Sequence, residues 1–145
     1  MGLIVEGPLQ KGYAVEGLHV GVYLSVPRKY LSDMFLLNRG THYTVKGVIE
    51  DIKKAPYSGA SIAPEELDVI GKLRGSEVEF VLSPPLIGSY DYLYISNKSW
   101  ELFRDYAIIP EDYILRVKLT RITIDIDKEK PLEKEIYPYR DVVAV

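Results

Sequence analysis

The sequence predicts a mainly β domain of the α+β class: a small closed β-barrel built from two strand–helix–strand repeats about a pseudo-twofold axis, with short helices. Three observations predict it. Short apolar runs with period-two alternation recur between glycines and turn residues, as strands do. The order of elements in residues 21–52 returns in residues 92–122. Both copies also break their alternation at the same place. Tyr43, Val45, Gly47 and Ile49 step by two and the next apolar residue, Ile52, steps by three; Tyr113, Leu115, Val117 and Leu119 step by two, and Ile122 steps by three. An extra residue in a period-two pattern is a β-bulge or a sharp bend. Two units that each bury one face remove their exposed edges by closing on each other.

The elements follow in order. Residues 3–6, 13–18 and 20–26 read as strands separated by glycines. Pro27 suits the first position of a helix, where its missing N–H is no loss. Residues 28–37 then carry Tyr30, Leu31, Met34, Phe35 and Leu37 at helical spacing, and Asn38–Thr41 is turn chemistry. Residues 42–52 form the next strand. The insert, 53–91, begins with a loop (53–61), continues as a helix with Pro64 in its first turn (63–73) and a strand (76–82), and ends in a stiff loop containing Pro84 and Pro85. In the second unit Leu93 and Ile95 match Leu24 and Val26, Ser96 is a good N-cap where Pro27 stood, and Trp100 and Phe103 match Leu31 and Met34. Val26, Leu31, Val45, Ile49, Ile95, Trp100, Leu115, Leu119 and Ile122 are the expected core. The tail, 128–145, begins in a charged turn and ends in four apolar residues. The length of 145 residues suits a single domain spanning 1–145.

Composition bounds the setting. With no cysteine, disulfides, thiolate metal sites and cysteine nucleophiles are excluded. One Gln, two Asn and no Cys beside abundant charged residues and 12 Tyr match a thermophile composition. No apolar run long enough for a transmembrane helix and no secretory signal pattern is present, so a cytoplasmic protein without membrane partners is expected. Net charge is −3 and uneven: seven Lys/Arg face five Asp/Glu in residues 1–60, and eleven face sixteen in 61–145.

The stretch GVYLSVPRKYL, Gly21 to Leu31, followed by a glycine turn and a strand, resembles the repeat of the cradle-loop β-barrel superfamily. That group includes AbrB-type swapped-hairpin proteins, two-repeat MraZ proteins and double-psi barrels. The resemblance covers 21–52 and 92–122 and implies a DNA-binding, transcription-regulator-like module. The superfamily also contains a CTP-dependent archaeal riboflavin kinase, which implies a small nucleotide-using enzyme as an alternative.

The residues name no catalytic site, metal site or cofactor. His19 and His42 are the two histidines and make no HxH or HExxH spacing. No phosphate-cradling glycine loop or nucleophile elbow occurs. Asp125 and Asp127 share a strand face, as a Mg²⁺ pair or a solvated strand end. Arg28, Lys29, Arg39 and Lys46 of the first unit, with Lys53 and Lys54 beside them and Arg116 and Lys118 of the second, are the candidate nucleic-acid contacts. The competing reading is a surface laced with ion pairs to Glu50, Asp51, Glu111 and Asp112. A protein-interaction or structural module, of a thermophilic archaeon or its virus, is the other alternative. It would use Tyr57, Tyr90, Tyr137 and Tyr139, and the tail Val142, Val143, Ala144 and Val145 by strand addition to a partner or to its own sheet.

Overall fold

The computed structural model describes residues 2–55, 64–104, 112–125, 132–136 and 143–144. In chain order these form β1 (Leu3–Pro8), β2 (Gln10–Lys11), β3 (His19–Pro27), β4 (Tyr43–Lys54), α1 (Pro64–Leu73), β5 (Glu77–Leu82), β6 (Tyr90–Ser96), α2 (Asn97–Arg104), β7 (Tyr113–Asp125), β8 (Leu132–Glu135) and β9 (Val143–Ala144). The strands make one curled, half-barrel sheet in the order β2-β3-β6-β5-β4-β7-β1-β9. β8 pairs the C-terminal part of β7, end to end with β1 along the same edge. Pairing is antiparallel throughout except between β1 and β9. No helix among the described residues is long and apolar enough to cross a membrane.

The long β4–β7 ladder shows the slip that the alternation predicted. Lys46↔Arg121 is followed by Gly47↔Leu119, which skips Thr120; Ile49↔Val117 is followed by Asp51↔Arg116, which skips Glu50. Each skipped residue is a bulge. The Thr120 hydroxyl donates to the Lys46 carbonyl at its bulge. Gly47 beside it is required by close approach: a Cβ there would lie 2.7 Å from the Lys118 carbonyl oxygen.

The concave face holds the core. Val26, Leu31, Val45, Ile49, Ile95, Leu115, Leu119 and Ile122 are fully buried, with Leu3, Leu24, Phe80, Leu93 and Phe103. Trp100 departs from expectation. It is partly buried at the margin, and Phe103 takes the interior position. The cause is Ser99, whose hydroxyl accepts the Glu79 amide at 2.7 Å while its own amide donates to the Ser96 hydroxyl. Those contacts turn Ser99 and Phe103 inward and Trp100 to the rim.

Two further segments differ from the sequence reading. Residues 13–18 are not a strand: Val15 and His19 form a single bridge around a turn in which Gly17 has φ 80°. The alternation there lies on an exposed loop, and Tyr13 is solvent-exposed. Residues 28–37 are not an α-helix but a 3-10 turn, Arg28–Tyr30, followed by irregular turns. The Ser32 amide, which a helix would direct to the Arg28 carbonyl, donates instead to Oδ2 of the buried Asp91 at 3.0 Å. The Ser32 hydroxyl donates to Oδ1 of the same carboxylate. The chain then passes through Leu36 at φ 54°. The expected insert helix and strand are α1 and β5, and residues 83–89 are irregular as the two prolines require.

Candidate functional site

The register of β3 on β6 brings aromatic side chains together on the outer face of the sheet. Tyr23 pairs Tyr94, Ser25 pairs Tyr92, and Pro27 pairs Tyr90. Along β6 the residues alternate: Asp91, Leu93 and Ile95 point inward and are fully buried, while Tyr90, Tyr92 and Tyr94 face out. His19 stacks on Tyr94 at 4.0 Å between ring centroids and 13° between planes. Tyr23 packs on Tyr92 at 4.6 Å and on Tyr94 at 5.2 Å, and Tyr92 meets Tyr94 edge-on at 6.5 Å. Gly12 leaves room for this cluster, because a Cβ there would crowd Cε1 of Tyr23 at 3.2 Å.

The cluster is uncharged. The Gly21 amide donates to His19 Nδ1, so that nitrogen carries no proton. Burial, and secondarily His42, pushes the His19 pKa down, which keeps the imidazole neutral. Burial pushes the phenols of Tyr23 and Tyr94 up, so both remain hydroxyls. The face therefore offers ring surfaces and hydroxyl groups without local charge. Tyr92 is 41% exposed and Tyr90 46%. An ordinary solvated strand face carries Lys, Glu or Thr in such positions, and here it carries a row of rings.

The nearby cations are spread apart: Lys11 pairs with the buried Val22 and not with Tyr23, Lys98 lines the groove of β4, β5 and β7, and Lys29 shares a pocket with Tyr90. Lys11 on β2 and Lys98 at the start of α2 are exposed and make no ion pair among the described residues. Past Pro27 come Arg28, mostly buried, and Lys29, whose ammonium lies 5.1 Å from the Tyr30 ring centroid.

The basic residues singled out in the sequence do not form one stripe. Arg28 and Lys29 lie at the end of β3, separated by β6 and β5 from the strands that carry Lys46, Arg116 and Lys118. Arg116 is held between Glu50 and Glu6, each at 3.2 Å, and its pKa is raised by those hydrogen bonds. Lys46 pairs Glu133 at 2.8 Å, which raises its pKa, and Lys53 pairs Glu6 at 2.9 Å. Asp51 takes Arg74 at 2.8 Å. Arg39 and Lys118 have no ion pair among the described residues. A groove of about 650 Å³ between β4, β5, β7 and α2 is lined by Lys46, Lys98, Arg121, Glu77, Glu79 and Glu133, both signs together.

Of the other sequence candidates, His42 hydrogen-bonds the Ser83 hydroxyl. Val143 and Ala144 pair in parallel with Val5 and Glu6 of β1, within their own sheet. Asp125 ends β7. Tyr57, Glu111, Asp127, Tyr137, Tyr139, Val142 and Val145 lie outside the described residues. Among those described, no group of three or more His, Asp or Glu is placed to hold a metal ion. The sequence reading missed Tyr23, Tyr92, Tyr94 and His19 as a site. The period-two spacing of Tyr90, Tyr92 and Tyr94 was the available signal. No family model, no curated protein and no solved structure matches this chain.

Proposed function

We propose that this chain is a non-enzymatic binding module that receives single-stranded nucleic acid, DNA in the first instance, across the outer face of β3 and β6. The observation that carries this reading is the ring cluster of exposed Tyr92 with half-buried Tyr23 and Tyr94, backed by buried His19. Base–aromatic stacking contributes about 1–3 kcal/mol per base and tolerates any sequence. Lys29, which lines a pocket together with Tyr90 and has no carboxylate partner among the described residues, suits a phosphate backbone. Arg116 and Lys46 are weaker candidates, since phosphate binding would require them to release glutamates.

We also infer a duplicated unit, β3 to β4 and β6 to β7, closing as a barrel, with a 3-10 turn in the first copy where the second has α2. The support is the β4–β7 register. Adding 70 to a β4 position, and subtracting 70 from its β7 partner, turns Ile49↔Val117 into Gly47↔Leu119, and Ile52↔Leu115 into Val45↔Ile122. The bulges at Glu50 and Thr120 are separated by the same interval.

A second reading, a protein partner on the same face, is favoured by Leu86 and Ile87, which are 70% and 90% exposed in the loop before Tyr90. The test is fluorescence anisotropy with a labelled 12-nucleotide poly-dT across a salt series. Binding is expected, with a log–log salt slope of about −0.7 per phosphate contact. Tyr92→Ala should weaken it by roughly 5- to 160-fold, the stacking free energy of about 1–3 kcal/mol. No binding at low salt, or unchanged binding by Tyr92→Ala and Tyr94→Ala, overturns the nucleic-acid reading.

A further inference from the structure

At the Arg28 end, the tyrosine row runs into a pocket of about 580 Å³ between the turn after β3 and the loop before β6, lined by Arg28, Lys29, Asp33, Gly88 and Tyr90 among others. The Arg28 side chain is 19% exposed. Its Nη1 donates to the Gly88 carbonyl at 3.3 Å, and its Nη2 lies 3.6 Å from the Asp33 carboxylate. Its Nε is buried and has no hydrogen-bond partner among the described residues. Folded proteins satisfy nearly all such donors, and an orphaned one is costly. The Arg28 backbone amide is already used, donating to the Ser89 carbonyl. What this guanidinium lacks is an external acceptor that reaches Nε.

We propose that the pocket seats the terminal phosphomonoester of a bound strand, with the end nucleotide against Tyr90. This rests on the single-strand reading of the adjoining face. A phosphate offers two oxygens at the spacing of an arginine fork, so one group can take Nε and a neighbouring Nη. Lys29 adds a second positive charge at the mouth. Asp33, with a side chain 62% exposed, must give way, and a dianion displaces it better than a monoanion does. A terminal monoester is a dianion near neutral pH, whereas an internal diester carries one charge. Depth points the same way. Arg28 is recessed, so a group with a single substituent reaches it more readily than one with chain on both sides.

The experiment compares dT8 carrying a 5′-phosphate, a 3′-phosphate or hydroxyls at both ends, each with an internal fluorophore, at fixed salt. One phosphorylated end should bind about tenfold more tightly than the hydroxyl form, the size of a charge-assisted pair. Arg28→Lys keeps the charge but removes Nε, and should bring that ratio to within twofold. Circular dichroism of each variant checks the fold. Thymidine 5′- and 3′-monophosphates, followed by ³¹P NMR, test the pocket without the rest of the face. Equal binding of all three oligonucleotides, with no ³¹P change on adding protein, overturns the proposal. Monophosphate binding abolished by Arg28→Lys, with no oligonucleotide binding, upholds the pocket and overturns the reading of the tyrosine face.

Discussion

Replacing Gly47 with alanine probes the closest approach between β4 and β7, and the same substitution at Gly71 is its control. At Gly47 an added Cβ would lie 2.7 Å from the Lys118 carbonyl oxygen, 3.0 Å from Val117 Cγ2 and 3.3 Å from Leu119 Cδ2. The nearest of these atoms is backbone in a strand paired on both sides, so it yields only if the ladder shifts. Overpacking of this kind costs about 1–3 kcal/mol. Restricting the unfolded chain returns about 0.4–1 kcal/mol, which leaves a net loss of about 1.3 kcal/mol by difference of the mid-values. At Gly71, in the exposed part of α1, nothing lies within 4 Å of the new Cβ. Helix propensity then favours alanine by about 0.5–1 kcal/mol. Urea unfolding followed by circular dichroism reads both, and an unchanged denaturant slope shows that stability moved and not the extent of unfolding. The midpoint should fall for Gly47→Ala and rise for Gly71→Ala. A Gly47→Ala variant as stable as the parent refutes the register at the bulge.

Other outcomes follow from burial and charge. Ile49→Ala and Leu119→Ala each empty a fully buried site and should lose about 2–5 kcal/mol; a loss under about 0.5 kcal/mol would mark the strand phase as reversed. Burial holds the Asp91 carboxyl above its usual range, despite the hydrogen bonds from Ser32. A raised carboxyl favours folding in its protonated form, so that contribution is full below about pH 3.8 and is lost as pH rises through the raised value. Asp91→Asn keeps the shape; its stability relative to the parent should climb above that pH and then level off, and a flat difference curve refutes the assignment. Glu6 and Glu133 are held low, chiefly by hydrogen bonds from Lys53 and Lys46. Their contribution is present above about pH 4.5 and is lost as pH falls through the lowered values, so Glu6→Gln should flatten the acid limb of the stability curve. An unchanged acid limb counts against the Lys53–Glu6–Arg116 chain of ion pairs.

Local pattern carried far in this chain where the physics was local. The three-residue step from Ile49 to Ile52 announced the bulge at Glu50, because a period-two pattern has no other way to absorb an extra residue. Pro84 and Pro85 excluded a strand, and Ser96 capped a helix. Residues 28–37 misled because their spacing is helical while the decisive contact is not. Ser32 is claimed by Asp91, 59 residues away in sequence. The site divides in the same manner. The spacing of Tyr90, Tyr92 and Tyr94 is visible in the sequence, but Tyr23 joins them only through the pairing of β3 with β6. The partners of Arg116 were equally hidden, for Glu6 lies 110 positions before it. A basic residue's availability depends on such distant carboxylates, and no window along the chain contains them.

The β4–β7 ladder also sets how this chain must fold. Its central pair, Val48↔Lys118, joins positions 70 apart, and Leu3↔Leu119 joins β1 to β7 across a longer span still. Closing a loop of that length costs about 3.8 kcal/mol of chain entropy before any contact is gained. Folding is therefore expected on the millisecond-to-second scale of all-β domains. Once β4 and β7 have met, however, β3 and β6 are tethered to them through much shorter connections, and their encounter closes only a short effective loop. The first long closure is then the barrier and the second follows downhill. The amides at the middle of β4 and β7 open only with global unfolding, so in deuterated solvent they should be the last to exchange, well after those of the tyrosine-bearing strands.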